Sequence, residues 1–524
     1  MDKGAHENMK AFLMHRERDF DHLGAMPWNE RALTQDLELN TLLHAMAGED
    51  ELLLEVARKV LLSGFENNVD TISYRQAAMK DCLEHAAAIR ELYNLMEETL
   101  KTTKKHWWGL SSHYPSSMLY SSIALLEFSL TTFRSLRKIA EEQASSFVSE
   151  AFTRLFAMLR EELSEDYLAT IQDRLAGLKF RKGILLSAEL GEYNEGTNYV
   201  LRKASKSDLT WLQRILGKGP PAYTFRLADR DTAGPRILSD MQHRATSRVA
   251  IALAHSSDHV LSFFKKLQVE LAFYVGCLNL RDRLGAKEEP VCFPVSVSAG
   301  ERKHRFAGLY DVSLSLRMEH RVVGNTADGD GRSLFIVTGA NQGGKSSFLR
   351  SIGLAQLMMQ CGMFVGAESF TAELCPSLFT HYKREEDATM KSGKFDEEVA
   401  RMSDIVDHLA PNSMVLFNES FAATNEREGS EIARQIVGAL VEKGVKIFYV
   451  THLYEFARSF SDKKTESAMF WRAERKPDGT RTFRIIDGEP LETSFGEDLY
   501  HRIFDLDEQL ENADANAATW PIVT

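Results

Sequence analysis

Ser333-Leu-Phe-Ile-Val-Thr-Gly-Ala-Asn-Gln-Gly-Gly-Lys-Ser-Ser347 decides the reading of the C-terminal half of this chain. Leu334 to Thr338 is an apolar, β-branched run of buried-strand length, and Phe348-Leu349-Arg350-Ser351-Ile352 opens a helical pattern. Between them lies Gly339-x-x-x-x-Gly344-Lys345-Ser346, the phosphate-cradling spacing. Its glycines let backbone N–H groups close around a triphosphate at a helix N-terminus, where partial positive charge favours an anion. Gly339, Ala340, Asn341, Gln342, Gly343, Gly344, Lys345, Ser346 and Ser347 are therefore the candidate nucleotide-binding residues. Lys345 is expected to reach the β- and γ-phosphates, and the Ser346 hydroxyl to ligate Mg²⁺.

Working outward, two more strand patterns follow. Ser413-Met-Val-Leu-Phe417 leads into Asn418-Glu419, and Lys446-Ile-Phe-Tyr-Val450 leads into Thr451-His452. Strands alternating with helices of this length read as a largely parallel sheet with its chemistry at the strand C-terminal ends, which predicts that Lys345, Glu419 and His452 share one edge. Phosphoryl transfer to water needs a positioned nucleophile and a neutralised γ-phosphate. Glu419 is placed to orient or deprotonate the water, and His452 to bond the γ-phosphate, so Lys345, Glu419 and His452 are the catalytic candidates. The bland alternatives are a helix-start glutamate and a structural histidine.

At 524 residues the chain has length for two or three domains. A hydrophobic content of 44% and a charged content of 26% are those of a soluble globular protein. No apolar run approaches the roughly 18 residues of a membrane span, and the N-terminus lacks a secretory core. Cys82, Cys277, Cys292, Cys361 and Cys375 are scattered, odd in number and without metal spacing, which favours a reducing cytoplasm. A net charge of −12 argues against coating nucleic acid by bulk attraction, so any such contact needs a local basic patch.

Upstream, residues 1–33 read as a polar leader. Helical periodicity then runs through Leu37–Leu43, Leu52–Leu62 and Tyr74–Met96. Ile123 to Ile139 and Val148 to Leu159 continue it, as a helix pair or one interrupted helix. Short strands are expected at 183–188, 198–201 and 222–225. Residues 201–236 hold eight basic side chains (Arg202, Lys203, Lys206, Arg214, Lys218, Arg226, Arg230, Arg236) against Asp208, Asp229 and Asp231. This stretch is either a solvated face or a nucleic-acid contact. A helix from about Arg236 to Leu284 is long enough to span roughly 70 Å, more than a compact domain needs, and reads as a lever. Short strands near 291–297 and 309–316 precede the P-loop strand. The predicted architecture is thus a leader (1–33), a helical core with a small basic β insertion at about 178–230 (34–285), and an α/β P-loop NTPase domain (286–524).

These residues together resemble the MutS family of DNA mismatch repair ATPases, a branch of the ABC-type P-loop proteins. Thr338–Arg350 (TGANQGGKSSFLR) is similar to the family's TGPNMGGKSTYLR, Cys361–Ala367 to G-x-F-V-P-A, Thr451–Phe456 to T-H-Y-x-E-L, and Ser494-Phe495-Gly496 to S-Y-G. The spacing from Glu419 to Gly429, with Glu428 at the acidic place, is in register with a further segment ending in D-G. The Leu42–Met96 region, with Tyr74-Arg75-Gln76, looks like the family's helical core, and the basic β insertion occupies the place of its DNA clamp. The resemblance implies an ATPase acting as a homodimer on DNA, with ATP and Mg²⁺ held by Ser346, Asn418 and Glu419, dimerisation helices at the C-terminal end, and Thr424 and Asn425 near the partner's γ-phosphate.

The departures are also informative. Only about 35 residues precede the helical core and no Phe-x-Glu wedge occurs in them, which implies structure-selective rather than mismatch-reading DNA contact. Asn418 stands where the family has Asp, offering Mg²⁺ a neutral oxygen. Phe421-Ala422-Ala423 replaces Gly-Arg-Gly, and Ser392-Gly393-Lys394-Phe395 is two residues shorter than S-G-R-S-T-F, so slow hydrolysis is expected. The rival reading is a nucleotide-gated scaffold that clamps a protein partner and barely turns over. A P-loop kinase is the weakest alternative, because neither an acceptor pocket nor a lid motif is visible.

Overall fold

The computed structural model describes residues 9–107, 114–180, 183–193, 195–202, 226, 228, 230–384, 393–463 and 465–491. These fall into two compact units, one within Met1–Phe12, Ala87–Val148 and Phe152–Leu271, the other within Leu13–Ala86, Ser149–Ala151 and Ala272–Thr524.

The chain enters through four helices, α1 (Glu30–Asp36), α2 (Leu39–Ala47), α3 (Glu51–Leu62) and α4 (Val69–Glu84). Short polar side chains start the last two. The Asp50 carboxylate accepts from the N–H groups of Leu52 and Leu53, and Asn68 Oδ1 accepts from Thr71 N–H, which satisfies donors that a helix start leaves open. These helices belong to the second unit because they dock on the P-loop half of the chain. Asn29 Nδ2 donates to Leu378 O at 2.8 Å, Asn67 Nδ2 to Gln360 O at 2.8 Å, and the buried Arg75 donates to Met14 O at 2.9 Å and Cys361 O at 3.3 Å. Gly362 has room only for hydrogen where the Arg75 side chain crosses it, a Cβ there lying 2.6 Å from Arg75 Cβ. The compact grouping therefore departs from the expected 34–285 and 286–524. Nor is the leader free of the fold, since Leu13 and Met14 are fully buried.

The first unit follows with α5 (Ala86–Trp107), α6 (Pro115–Gln143), α7 (Glu150–Glu162), α8 (Glu165–Leu178), an antiparallel hairpin β1 (Leu185–Leu190) and β2 (Gly196–Arg202), and α9 (Ala233–Gly285), which carries on into the second unit. Phe133 against Phe264 (5.0 Å between ring centroids) and Phe147 against Phe152 and Phe156 (4.9 and 5.0 Å) fill its core. The apolar stretch from 123 to 159 is a helix pair, broken at 144–149. Of the three strands expected in the insertion, the first two form the hairpin. The third, and most of the basic run, lie outside the described residues, as do Ser392, Ser494-Phe495-Gly496 and the expected dimerisation helices.

The second unit resumes with β3 (Val295–Val297), β4 (His304–Leu309), α10 (Val312–Arg317), β5 (Asn325–Asp328), β6 (Leu334–Gly339), α11 (Lys345–Gln360), β7 (Ser369–Glu373), β8 (Leu378–Tyr382), α12 (Lys394–His408), β9 (Met414–Asn418), α13 (Glu426–Glu442), β10 (Lys446–Val450), α14 (Tyr454–Asp462), β11 (Ala468–Arg475) and β12 (Arg481–Asp487). The strand expected at 309–316 is instead largely the helix α10. Asp311 Oδ1 accepts from Leu314 N–H at 3.0 Å, and this cap overrides the β-prone residues that follow. A six-stranded sheet has the order β12-β11-β6-β10-β9-β8, parallel apart from the β11–β12 edge pair. A four-stranded sheet, β3-β7-β4-β5, lies in the same unit. The strands β6 and β10 are buried along their whole length, as apolar runs covered on both faces must be.

One core position is chemically unusual. His304 is buried among the rings of Phe306, Phe370 and Phe448, and neither ring nitrogen has a hydrogen-bond partner. Burial pushes its pKa well below the ordinary value, and the nearby Lys446 charge acts the same way. The folded state therefore holds this imidazole neutral while the unfolded chain takes up its proton below about pH 6.5. The contribution of this group is fully present above that pH and is lost by about 1.4 kcal/mol per pH unit below it. Replacing His304 with Leu is expected to flatten that acid loss. Urea melts of parent and variant at pH 5 and pH 7.5 measure it, and an unchanged pH dependence refutes the assignment.

Candidate nucleotide site

The site grows from the end of β6. After the buried Val337 and Thr338, Gly339 turns the chain at φ +109°, Gln342 adopts φ +56° and Gly344 φ +86°. A Cβ on Gly343 would lie 2.7 Å from Ala473 Cβ and 2.8 Å from Ala340 O, so the loop is tight enough to require glycine there. The first helical residue of α11 is Lys345, which places the loop at a helix N-terminus. Its Nζ donates to Gly339 O and Ala340 O, both at 2.9 Å. Burial lowers the lysine's pKa to about 8, with Arg481 pushing the same way and Glu419 opposing.

The neighbouring strand ends converge on this loop. Val337 stands opposite Val450, and Val450 opposite Asn418. Ser346 Oγ donates to Asn418 Oδ1 at 3.1 Å. Glu419 N–H donates to Val450 O at 2.9 Å, and the residue itself sits at φ +54°. His452 Nε2 donates to Glu419 Oε1 at 2.8 Å. That hydrogen bond is the main cause holding the Glu419 carboxyl below its usual pKa; burial opposes it, and the charges of His452, Lys345 and Lys383 add to it. A cleft of about 600 Å³ contains Asn341 to Ser347 and Glu419 in its lining. Lys345 is itself part of that lining, its ammonium group held by the Gly339 and Ala340 carbonyls.

Thr424 and Asn425 are placed elsewhere. Asn425 caps α13 by accepting from Glu428 N–H at 3.0 Å, and Thr424 Oγ1 donates to Glu428 Oε2 at 2.9 Å; neither lines the cleft. The segment leading to them carries strain. Phe421 sits at φ +62°, in the left-handed region that favours glycine, at a cost of roughly 1–2 kcal/mol. Its ring is fully buried, with His381 stacked on it at 5.2 Å, and that burial offsets the strain by about 1.5–3 kcal/mol. Gly429 accommodates the turn, since a Cβ there would lie 2.3 Å from Phe421 O.

Several cleft residues are absent from the sequence reading. Phe483, half exposed at φ +60°, lies against Gly344. Arg481 Nε donates to Asn341 O at 3.3 Å. His320, Arg321, Val322 and Val323 form a further wall. No local pattern marks them, because they reach the P-loop only through the β11–β12 pairing and the turn after α10.

Oxygen donors for a divalent cation are present: the Ser346 hydroxyl and Asn418 amide oxygen adjoin each other, with the ionised Glu419 next in sequence. This is a fit for Mg²⁺, which takes few protein ligands and keeps waters and phosphate oxygens. Among the described residues no cluster of three or more His, Cys, Asp or Glu side chains forms a separate metal site, and no helix is long and apolar enough to cross a membrane.

A buried parallel strand running through a glycine turn into a helix whose first residue is a buried lysine, with a carboxylate and an imidazole from adjacent strand ends, defines a P-loop NTPase-type domain. Comparison with known proteins narrows the class. The model of the MutS2 N-terminal domain matches residues 67–287, and that of MutS domain V matches residues 335–516. The DNA mismatch repair protein MutS of Leptospira interrogans is 26% identical over 223 residues, 42% of this chain and 26% of that protein. The MutS proteins of Streptococcus equi and Streptococcus mutans are 29% and 30% identical over 184 and 167 residues, covering 34% and 31% of this chain and 21% and 19% of theirs. The chain belongs to the MutS family. It spans about a quarter or less of the length of these relatives.

The buried lysine makes the site pH-sensitive. Lys345 is charged below about pH 8 and loses its proton above it, and only the charged form attracts a triphosphate. ATP affinity, measured by equilibrium binding without turnover, is expected to fall several-fold between pH 7 and pH 9. Affinity that stays flat across that range contradicts a phosphate-binding Lys345.

Proposed function

We propose that this protein is an ATPase whose nucleotide state controls closure of a homodimer and, through it, engagement of DNA. The observation that carries this reading is that Lys345, Ser346 and Glu419 line one cleft, with Asn418 hydrogen-bonded to Ser346 and His452 to Glu419 from the adjacent strand ends. In this reading the P-loop amides and Lys345 hold the phosphates, and Ser346 and Asn418 face the metal, with Asn418 acting through its neutral amide oxygen. Mg²⁺, when bound, neutralises phosphate charge. Phe483 and the 320–323 wall take the base, an aromatic ring and two valines being suited to its faces. Glu419 orients the attacking water, and His452 fixes the carboxylate and faces the terminal phosphate. Asn418 in place of a carboxylate and the lack of an arginine in Phe421-Ala422-Ala423 leave less charge to hold Mg²⁺ and to neutralise the phosphates, so turnover is slow.

Thr424 and Asn425, at the start of α13, are assigned to the partner's nucleotide across the dimer. ATP shifts the open–closed equilibrium only as far as it binds the closed form better. DNA contact is assigned to the first unit, by backbone or structure rather than by mismatch. A second reading, a nucleotide-gated scaffold for a protein partner, draws support from Asn418 and from Phe421-Ala422-Ala423, which supply neither a second carboxylate nor an arginine.

Lys345→Ala is expected to lose ATP binding. Glu419→Gln is expected to keep ATP, hydrolyse it about a hundredfold more slowly and remain dimeric with ATP present. Hydrolysis by Glu419→Gln at the parent rate removes Glu419 from catalysis. DNA engagement is tested by titrating salt against binding to duplex, branched and single-stranded DNA. Phosphate contacts give a steep negative slope of log K against log salt, whereas no binding at low salt leaves the scaffold reading.

A further inference from the structure

The turn that follows α9 performs a task that neither the motifs nor the P-loop explains. Glu289 is 3% exposed, and its side chain reaches into the segment that forms one wall of the nucleotide cleft. Oε1 accepts from Ser315 Oγ and from Val322 N–H, both at 2.9 Å, while Oε2 faces Arg321 Nε at 3.7 Å. Two residues earlier, Lys287 Nζ donates to Ser315 O and Met318 O, both at 2.5 Å, closing carbonyls at the end of α10. The turn is itself fixed to the end of α9, since Lys287 N–H and Glu289 N–H both donate to Leu284 O at 3.1 Å. At the other end of the wall segment, Asp311 accepts from Arg350 Nε of the P-loop helix at 2.6 Å. The wall is thus pinned to the phosphate-binding helix at one end and to the α9 turn at the other.

We infer that Glu289, assisted by Lys287, is a positioning residue that sets the 318–323 wall against the P-loop and so determines affinity for the base half of the nucleotide. The inference rests on the proposed ATP binding and adds to it a division of labour. The P-loop grips the phosphates whatever the wall does. The wall grips the base only while a buried carboxylate holds the Val322 amide. A hydrogen bond to a charged acceptor at a buried site is strong enough for its loss to cost about tenfold or more in affinity.

The test measures binding of ATP and of inorganic tripolyphosphate to the full chain and to Glu289→Ala, Glu289→Gln and Lys287→Met. Glu289→Ala is expected to weaken ATP about tenfold and leave tripolyphosphate unchanged. Glu289→Gln, which keeps an oxygen for Val322 N–H, is expected to bind ATP within a few-fold of the parent. Lys287→Met, at a half-buried position, should reproduce the selective loss more weakly, and carries the test if Glu289→Ala does not fold. Equal weakening of both ligands, no weakening of either, or a Gln variant as poor as Ala overturns the inference. A parent that binds neither ligand overturns the nucleotide reading itself, which is a distinguishable result.

Discussion

The site depends on the parallel register of three buried strands. With β6, β10 and β9 side by side and running the same way, their carboxyl ends fall at one level, and Gly339, Val450 and Asn418 hand the chain over to loops beside one another. The strands themselves cannot carry the chemistry, because a charge inside a sheet covered on both faces would be desolvated without a partner. The strand ends escape that penalty: backbone N–H groups of the following helix and solvent in the cleft can solvate a charged group there.

Electrostatics around that edge are built from pairs rather than from net charge. Arg350 leaves the P-loop helix to meet Asp311 and Glu38, and Arg317 also meets Glu38. Of these the Arg350–Asp311 contact is largely buried while Arg317 and Glu38 are partly exposed, and Lys446 and Glu373 form a fully buried pair. Buried pairs of this kind contribute little by existing and cost about 3–5 kcal/mol when one partner is removed, so they fix geometry more than they add stability. The same economy applies to the cleft. The chain lacks the arginine expected after Glu419, but Arg481 and Lys383 act on the site from distant positions, one lowering the pKa of Lys345 and the other that of Glu419. Asn418 keeps an oxygen toward Ser346 without bringing a charge.

Backbone strain marks the same region. Glu419 and Phe421 both occupy the left-handed region, where glycine is the comfortable residue. Glu419 is tied by its N–H to Val450 O and by its carboxylate to His452, and the Phe421 ring packs against Phe417 and His381. A phenylalanine at such a point gives up conformational ease for apolar burial.

Local chemistry made much of this legible in the chain itself. The glycine spacing before Lys345, the apolar runs ending at Asn418 and Val450, and the long periodicity of α9 are written in neighbouring residues, and their physics is that of neighbouring residues: turn geometry, strand burial and helix amphipathicity. Other features were outweighed by a competing local signal or had no local sign at all. The strand reading of 309–316 failed because a single capping carboxylate, Asp311, outweighed β propensity. The docking of α1–α4 on the P-loop half, the arrival of Phe483 and Arg481 at the cleft, and the hold of Glu289 on Val322 all join residues far apart in the chain. Such contacts are selected by packing complementarity and by the need to satisfy buried polar groups, which only the assembled tertiary structure decides.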